Sequence, residues 1–347
     1  MNGAEHGAAR VTIHEIARRL GISAASVSYA LNDRPGVGAA TRTRVRELAR
    51  ELDWHPSSSA RALSRSRTDT IGMVLRRDPE LLGQEPYYMN LLSGVESALA
   101  EAGQSLMLRM VGTEPGHDLD VYRQWSAERR VDGVIVLDRL IDDPRPDLLR
   151  ALGMPFVMHG LRIDPATGRQ VVEDLLTEAR LLVDHLAALG HVDILHVTGP
   201  LMLTHEIERR GAVAAEAAEL GVKVSFVEGD YTRAGAEQLV VDRLRDWGAP
   251  TAVISSNDVM ALGILRSLRA AGREQIALVS WDDSMLCDIS VPSITALARH
   301  PEVQGRRSAR VLLAALDGDP EHPEPAIPSV LVVRETSVPA AGRNHAR

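Results

Sequence analysis

From residue 11 to residue 52 apolar positions recur with the period of an α-helix. Ile13, Ile16, Ala17 and Leu20 fall at i, i+3, i+4 and i+7, one stripe on a short helix. Gly21 follows, where a left-handed C-cap is wanted. Ser23 is a good N-cap for a second helix, Ala24 to Leu31, with Val27, Ala30 and Leu31 turned inward. DRPGVG, residues 33 to 38, is a cluster of turn formers. Thr41 to Leu52 reads as a third helix, with Val45, Leu48, Ala49 and Leu52 inward and Arg42, Arg44, Arg46 and Arg50 outward, and Trp54 covering the three-helix core. Two short helices joined at a glycine fit either a helix-turn-helix or an ordinary αα-hairpin.

From Asp69 the period changes. TIGMVL, QSLMLRM, VDGVIVL, PFVMHG, VDILHVTG, VKVSFVEG, AVISS and IALVSW are short apolar runs, separated by the amphipathic stretches YYMNLLSGVESALAEAG, VYRQWSAERR, RPDLLRALG, EARLLVDHLAALG, HEIERRGAVAAEAAELG, AGAEQLVVDRLRDW and DVMALGILRSLRAAG. ARHPEVQGRRSARVLLAAL reads as a further helix and SVLVVRETS as a closing strand. Repeated βα units of this length predict parallel, doubly wound sheets. There are too many for one sheet of usual size, so two similar subdomains are expected. The fold class is thus a small all-α domain followed by an α/β domain of two doubly wound parallel-sheet subdomains.

Charge sharpens the division. The 347 residues carry a net charge of −8, which by itself argues against nucleic acid. Residues 1–70, however, hold 11 Arg against 7 acidic side chains, and the remainder 28 basic against 40 acidic. A basic head on an acidic body is expected when only the head meets phosphate. The single cysteine, Cys287, excludes a disulfide framework and a cysteine-rich metal site. No apolar run has membrane-spanning length, and MNGAEHGAAR has no signal-peptide core, so a cytoplasmic protein with no membrane partner is expected, its residues 1–10 a disordered leader.

In open parallel sheets ligands bind beyond the carboxyl ends of the strands. The residues there include Arg76 and Arg77, His159, Tyr231, Asn257 and Asp258, and Trp281, Asp282 and Asp283. Carboxylates and amides bond hydroxyls and aromatic faces cover a sugar's C–H face, so the set suits a polyhydroxylated ligand. Asn257 also fits a helix cap, Trp281 a core position and Tyr231 a turn. No metal or cofactor is expected, since no His or Cys lies at ligand spacing near the aspartates. No G-x-S-x-G, P-loop or dinucleotide fingerprint is present, so an enzyme is not expected.

VTIHEIARRLGISAASVSYALN, with TRTRVRELARELDWHPSSSARALSR after it, resembles the N-terminus of LacI/GalR-family transcriptional regulators, and the likeness extends through nearly the whole chain. It implies a DNA-binding domain over 11–56, a hinge helix and linker over 57–68, a two-lobed effector-binding and dimerisation domain of the type I periplasmic-binding-protein kind over 69–338, and a tail over 339–347. Ala24, Ala25, Ser26, Ser28 and Tyr29 would enter the major groove, while His14, Ser23, Ser28 and Asn32 would touch phosphate. PSSSARALS matches the family's hinge: Leu63 would wedge into the minor groove, Ala60 would let two hinge helices pack closely and Arg61 would reach phosphate. SSNDVMALG matches the family's A-N-D-x-M-A-L-G, whose Asn contacts effector, here Asn257. WDD matches G-[FY]-D-D, which points to Asp282, with Trp281 before it. EGDY places Tyr231 as a sugar-stacking ring, and PYYMNLLSGVE places Tyr88 beside the cleft.

Two positions depart from the family pattern. Glu208 stands where many members carry the Arg of R-x-x-G-[FW], and a Glu there would repel an anion, with Arg77 on the other lobe as compensation. Tyr29 stands where several members carry Arg or His, and lacks the bidentate fork that reads guanine. The resemblance implies a homodimeric, non-enzymatic repressor of a pseudo-palindromic double-stranded DNA operator, controlled by a small-molecule effector. A sugar is expected; a nucleoside or other polar metabolite is the alternative. A carrier protein of periplasmic type would share the cleft but not the basic head.

Overall fold

The structure, a computed structural model, describes residues 11–54, 67–77, 82–163, 170–172, 175–246, 250–318 and 327–340. Contacts divide the chain into two units between Thr68 and Asp69.

Among its described residues the first unit has three helices, α1 (Ile13–Leu20), α2 (Ala24–Leu31) and α3 (Ala39–Glu51). Thr12 caps α1 through the Glu15 amide, and Ser23 caps α2 through the Ser26 amide. Gly21 ends α1 at φ 65°, a left-handed turn that a side chain would strain. Ile16, Ala17, Val27, Ala30, Val45 and Ala49 form the buried core, and Leu20, Leu31, Leu48, Leu52 and Trp54 pack around it. Of the outward arginines, Arg42 and Arg46 both reach Asp33, at 2.6 and 2.5 Å. The hinge residues Ala60, Arg61 and Leu63 lie outside the described residues.

Among its described residues the second unit holds a four-stranded sheet, a six-stranded sheet and a two-stranded one. In the first lobe β1 (Thr70–Arg76), β2 (Ser105–Val111), β3 (Gly133–Val136) and β4 (Phe156–Met158) run parallel in the order β2-β1-β3-β4, flanked by α4 (Pro86–Glu101), α5 (His117–Ala127) and α6 (Arg145–Ala151). A hairpin of β5 (Leu161–Ile163) and β6 (Gln170–Val172) follows. In the second lobe β7 (Asp193–Thr198), β8 (Lys223–Glu228), β9 (Ala252–Ser255), β10 (Ala277–Ser280), β11 (Thr295–Ala298) and β12 (Val330–Val332) take the order β12-β11-β10-β9-β7-β8, with β12 antiparallel. Its helices are α7 (Leu175–Ala188), α8 (Thr204–Glu219), α9 (Arg233–Asp246), α10 (Asp258–Ala270) and α11 (Met285–Ile289). Central strands such as β3, β9 and β10 are buried along their whole length, as expected for parallel strands covered on both faces.

The last long helix, α12 (Pro301–Asp317), returns to the first lobe, where Ala309 and Leu312 join the core of β1, β3 and α4. It crosses α4 backbone to backbone. A Cβ on Gly94 would sit 1.8 Å from the Glu302 carbonyl oxygen, and one on Gly305 would sit 2.2 Å from that of Leu91. The pattern of the sequence starts this helix at Ala298 and gives no strand for β11. The helix starts only at Pro301, because the residue before a proline is pushed out of the helical region, and His300 takes φ 53°.

Candidate functional site

Strand order reverses at β1 and β3 in the first lobe and at β7 and β9 in the second, so the loops beyond those four strands open a crevice at the carboxyl ends. The cleft encloses about 880 Å³ of non-atom space, a volume that includes open solvent. Arg77, Tyr88, His159, Tyr231, Asn257, Asp258 and Asp282 of the sequence reading line it, joined by Glu85, Tyr87, Asp138, Arg139, His205, Arg209, Arg299 and Gln304.

The first-lobe wall is organised by Arg77. Its Nη2 donates to the Tyr88 hydroxyl at 2.7 Å and its Nη1 lies 3.1 Å from Asp138, with Glu85 3.5 Å from Nε. The Tyr88 hydroxyl in turn donates to Asp138 at 2.7 Å. Burial would raise the Asp138 carboxyl, but Arg77, His205, the Tyr88 hydroxyl and Arg145 together outweigh that and hold it below the usual range. Tyr87 donates to Gln304 at 3.1 Å and so accepts from His159 Nε2 at 3.2 Å, while His159 Nδ1 takes the Ser308 hydroxyl at 2.9 Å. Burial pushes His159 down to about 4, so the ring is neutral at pH 7.

The second-lobe wall is organised by a fully buried carboxylate, Glu206 on α8. It accepts from the Gly199 amide at 2.6 Å, Ser256 Oγ at 2.7 Å, Arg209 Nη1 at 2.8 Å and the Tyr231 hydroxyl at 2.9 Å. Burial works against the charge, yet Arg209, His205 and these donors pull the group down to about 2. Because the Tyr231 proton points to Glu206, its oxygen accepts from His205 Nε2 at 2.9 Å. Burial puts His205 also at about 4, so this ring is neutral. Tyr231 takes φ 64°, and its ring fills the space over Gly199, where a Cβ would lie 2.2 Å from it. Asn257 serves twice: its Oδ1 caps α10 through the Met260 amide at 2.8 Å, and the residue lines the cleft.

Two expected contacts are corrected. Trp281 is fully buried and does not line the cleft. Its Nε1 donates to Glu178 at 2.7 Å, its ring stacks on His196, and the Arg209 guanidinium lies 4.9 Å above it, so Trp281 is the surface on which Arg209 rests. Glu208 does not line the cleft either. It turns to Arg139 of the opposite lobe, at 2.8 Å, beside a backbone bridge between Leu140 and Leu203. Arg209, one residue and about 100° further round the helix, faces the ligand space instead. A guanidinium is therefore present in the second-lobe wall.

Arg299 completes the floor, donating to Glu178 and Asp282 at 2.9 Å each. The strand-end rule applied to VDGVIVL would have found Asp138. Arg299 was hidden because β11 was not predicted and the helix was started at Ala298.

In the first unit Ala25, Tyr29 and His14 are exposed, and Ala24, Ser26 and Ser28 are half-buried on the same helix. Ser23 and Asn32 are engaged internally. Ser23 Oγ accepts the Ser26 amide at 3.0 Å, and the Asn32 amide donates to the Ser28 carbonyl at 2.9 Å.

A capped helix-turn-helix in one unit and a two-lobed ligand cleft in the other define the class of ligand-controlled DNA-binding regulators. Comparison with known proteins gives the same division. The description "Bacterial regulatory proteins, lacI family" matches residues 12–57, and "Periplasmic binding protein-like domain" matches residues 183–337. The chain is 31% identical over 341 residues to the HTH-type transcriptional regulator CelR of Thermobifida fusca, covering 94% of this chain and 98% of that protein. Among solved structures, a LacI family transcriptional regulator from Bifidobacterium animalis subsp. lactis superposes with a TM-score of 0.70 at 31% identity, over 79% of this chain and all of that one. A CelR–cellobiose complex superposes with a TM-score of 0.68 at 28% identity, over 94% of this chain and all of that one. The chain belongs to the lacI family of bacterial transcriptional regulators: it is a DNA-binding regulator of transcription and not an enzyme.

Proposed function

We propose that this regulator is a homodimeric repressor that acts on chromosomal DNA in the cytoplasm and whose operator affinity is set by a neutral carbohydrate, of mono- or disaccharide size, bound in the cleft. One observation carries the choice of ligand. Each arginine of the cleft wall already faces a carboxylate of this chain: Arg77 faces Asp138, Arg139 faces Glu208, Arg209 faces Glu206, and Arg299 faces Glu178 and Asp282. Both histidines are neutral at pH 7. Such a wall offers hydrogen bonds and tyrosine rings without an excess cation for an anionic ligand. The solved complex of the relative CelR with cellobiose agrees with this reading.

On this reading residues 11–56 bind DNA, 57–68 form the hinge, and 69–338 bind effector and partner. Ala24, Ala25, Ser26, Ser28 and Tyr29 meet base edges in the major groove, and His14, Ser23 and Asn32 lie along phosphates. Ala60, Arg61 and Leu63 act at the minor groove. Met285, Ile289 and Val291, 72%, 63% and 74% exposed on α11 and the loop after it, form an apolar patch suited to a second copy of the chain. A symmetric dimer implies an operator of two inverted half-sites. The effector acts through its differential affinity for the DNA-bound and free states, a coupling of about 1–3 kcal/mol.

The test is a thermal-shift screen of mono- and disaccharides, nucleosides and sugar phosphates against the full chain. A ligand that favours the native state raises the melting temperature. Stabilisation by neutral sugars is expected; stabilisation by sugar phosphates alone would contradict the balanced-charge reading.

A further inference from the structure

Among the described residues, Asp258 is the carboxylate of the cleft wall that forms no ion pair. This residue opens α10 directly after the cap residue Asn257, lines the cleft, and is 2% exposed. Its Oδ1 accepts the Val259 amide at 2.8 Å, while its Oδ2 is buried with no hydrogen-bond partner. A buried acceptor left unmade is costly, and it calls for a donor from outside the protein.

No cation faces the carboxyl, and the one side chain that hydrogen-bonds to it is Ser284. From the loop after β10 Asp282 faces it with like charge, and Asp282 is itself held by Arg299. The neighbouring Asp283 takes both Nη atoms of Arg334, at 2.8 and 3.0 Å. From α11 the Cys287 thiol, pushed up to about 12 by burial, is neutral. From the loop before α9 comes the neutral Tyr231, and on α9 Arg233 and Glu237 pair with each other. Ser284, capping α11, is the polar group that favours the charged form. Burial and Asp282 outweigh it and lift Asp258 to about 7.

We infer that Asp258 is a specificity-determining residue of the effector site: a hydroxyl of the bound sugar donates to its Oδ2, and that bond favours the carboxylate, so binding releases a proton from the protein. The sign follows from the burial. Asp258 is already withdrawn from water in the empty cleft, so a ligand adds little desolvation, and what it adds is a donor. This inference rests on the carbohydrate reading and deepens it. A ligand lacking a hydroxyl at that position leaves Oδ2 unpaired and is rejected.

The experiment is calorimetry on the full chain with glucose, cellobiose, ribose and adenosine at pH 6, 7 and 8. For the sugar that binds, affinity should be about tenfold weaker at pH 6 than at pH 8. At pH 7, buffers of different ionisation enthalpy should reveal release of about half a proton in the unaltered protein. Asp258→Asn should bind more weakly and lose the pH slope. A pH-independent affinity with no proton released, or an unchanged slope in Asp258→Asn, would overturn the role of Asp258 and leave the carbohydrate reading standing. Failure of every compound to bind the unaltered protein would overturn both.

Discussion

The DNA-reading head and the effector cleft use polar groups in opposite ways. In the head the core is a handful of small apolar residues, and the charged pairs, such as Arg18 with Glu15 and Arg46 with Asp33, lie on the surface. Exposed pairs of that kind contribute little to stability and leave the side chains available to a partner. In the cleft the charges are inside the protein. Glu206, Arg209, Asp138 and Arg77 are almost wholly withdrawn from water and persist because each has a partner. Polar substitutions should therefore be mild in the head and severe in the cleft, and a local change in the cleft wall should reach both lobes.

The severest test is Glu206→Ala. It removes the acceptor of four donors and leaves Arg209 buried without its carboxylate. A destabilisation of about 3–5 kcal/mol is expected in denaturant unfolding. The milder Glu206→Gln should abolish an acid-induced loss. Because the folded-state value is lowered to about 2 from 4.5, this group's stabilisation is complete above pH 4.5 and fades as pH falls towards 2.

Asp258 gives the opposite slope. Its folded-state value is raised to about 7 from 3.8, so the native state binds the extra proton between those limits. Stability from this group should fall as pH rises from about 4 to 7 and level off above. Asp258→Asn should then stabilise the ligand-free protein at pH 8, by on the order of 3–4 kcal/mol, with no gain at pH 4. A variant less stable than its parent at pH 8 would break the contrast between a partnered and an unpartnered carboxyl in one cleft.

Gly199→Ala should act through Tyr231. The added methyl group occupies the place of the ring, so effector affinity should drop roughly tenfold or more, measured by calorimetry. The smallest effect belongs to the head. Ser23→Ala deletes the α2 cap bond and should cost about 1 kcal/mol, seen as faster amide exchange in α1 to α3 with the α/β unit unchanged.

The same contrast explains what could be read from the sequence. The head was legible because its determinants are local: the stripe Ile13, Ile16, Ala17 and Leu20, the left-handed Gly21 and the cap Ser23 lie within eleven residues. In the α/β unit the alternation of runs gave the strands except β5, β6 and β11, and the strand-end rule reached Arg77, His159, Tyr231, Asn257, Asp258 and Asp282. It missed what depends on tertiary contact. Nothing local distinguishes Glu208 from Arg209, and only the opposite lobe, through Arg139, decides which one turns away. Trp281 follows a strand like any ligand contact, yet Glu178, more than a hundred residues away in sequence, draws its indole into the core. Arg299 was lost to a misplaced boundary at His300–Pro301. Leu63 and the hinge lie outside the described residues, so their role remains a proposal.

The central claim is that a paired head grips inverted half-sites and a sugar in the cleft changes that grip. The most direct measurement is selection from random duplex DNA, followed by fluorescence anisotropy of the enriched sequence with the full chain, over a salt series and with each sugar found by thermal shift. The account predicts an enriched inverted repeat, an affinity that falls steeply with salt as phosphate contacts release counterions, and a further change in affinity when the sugar is added. Enrichment of no sequence, or an operator affinity indifferent to every sugar that binds the protein, would contradict it.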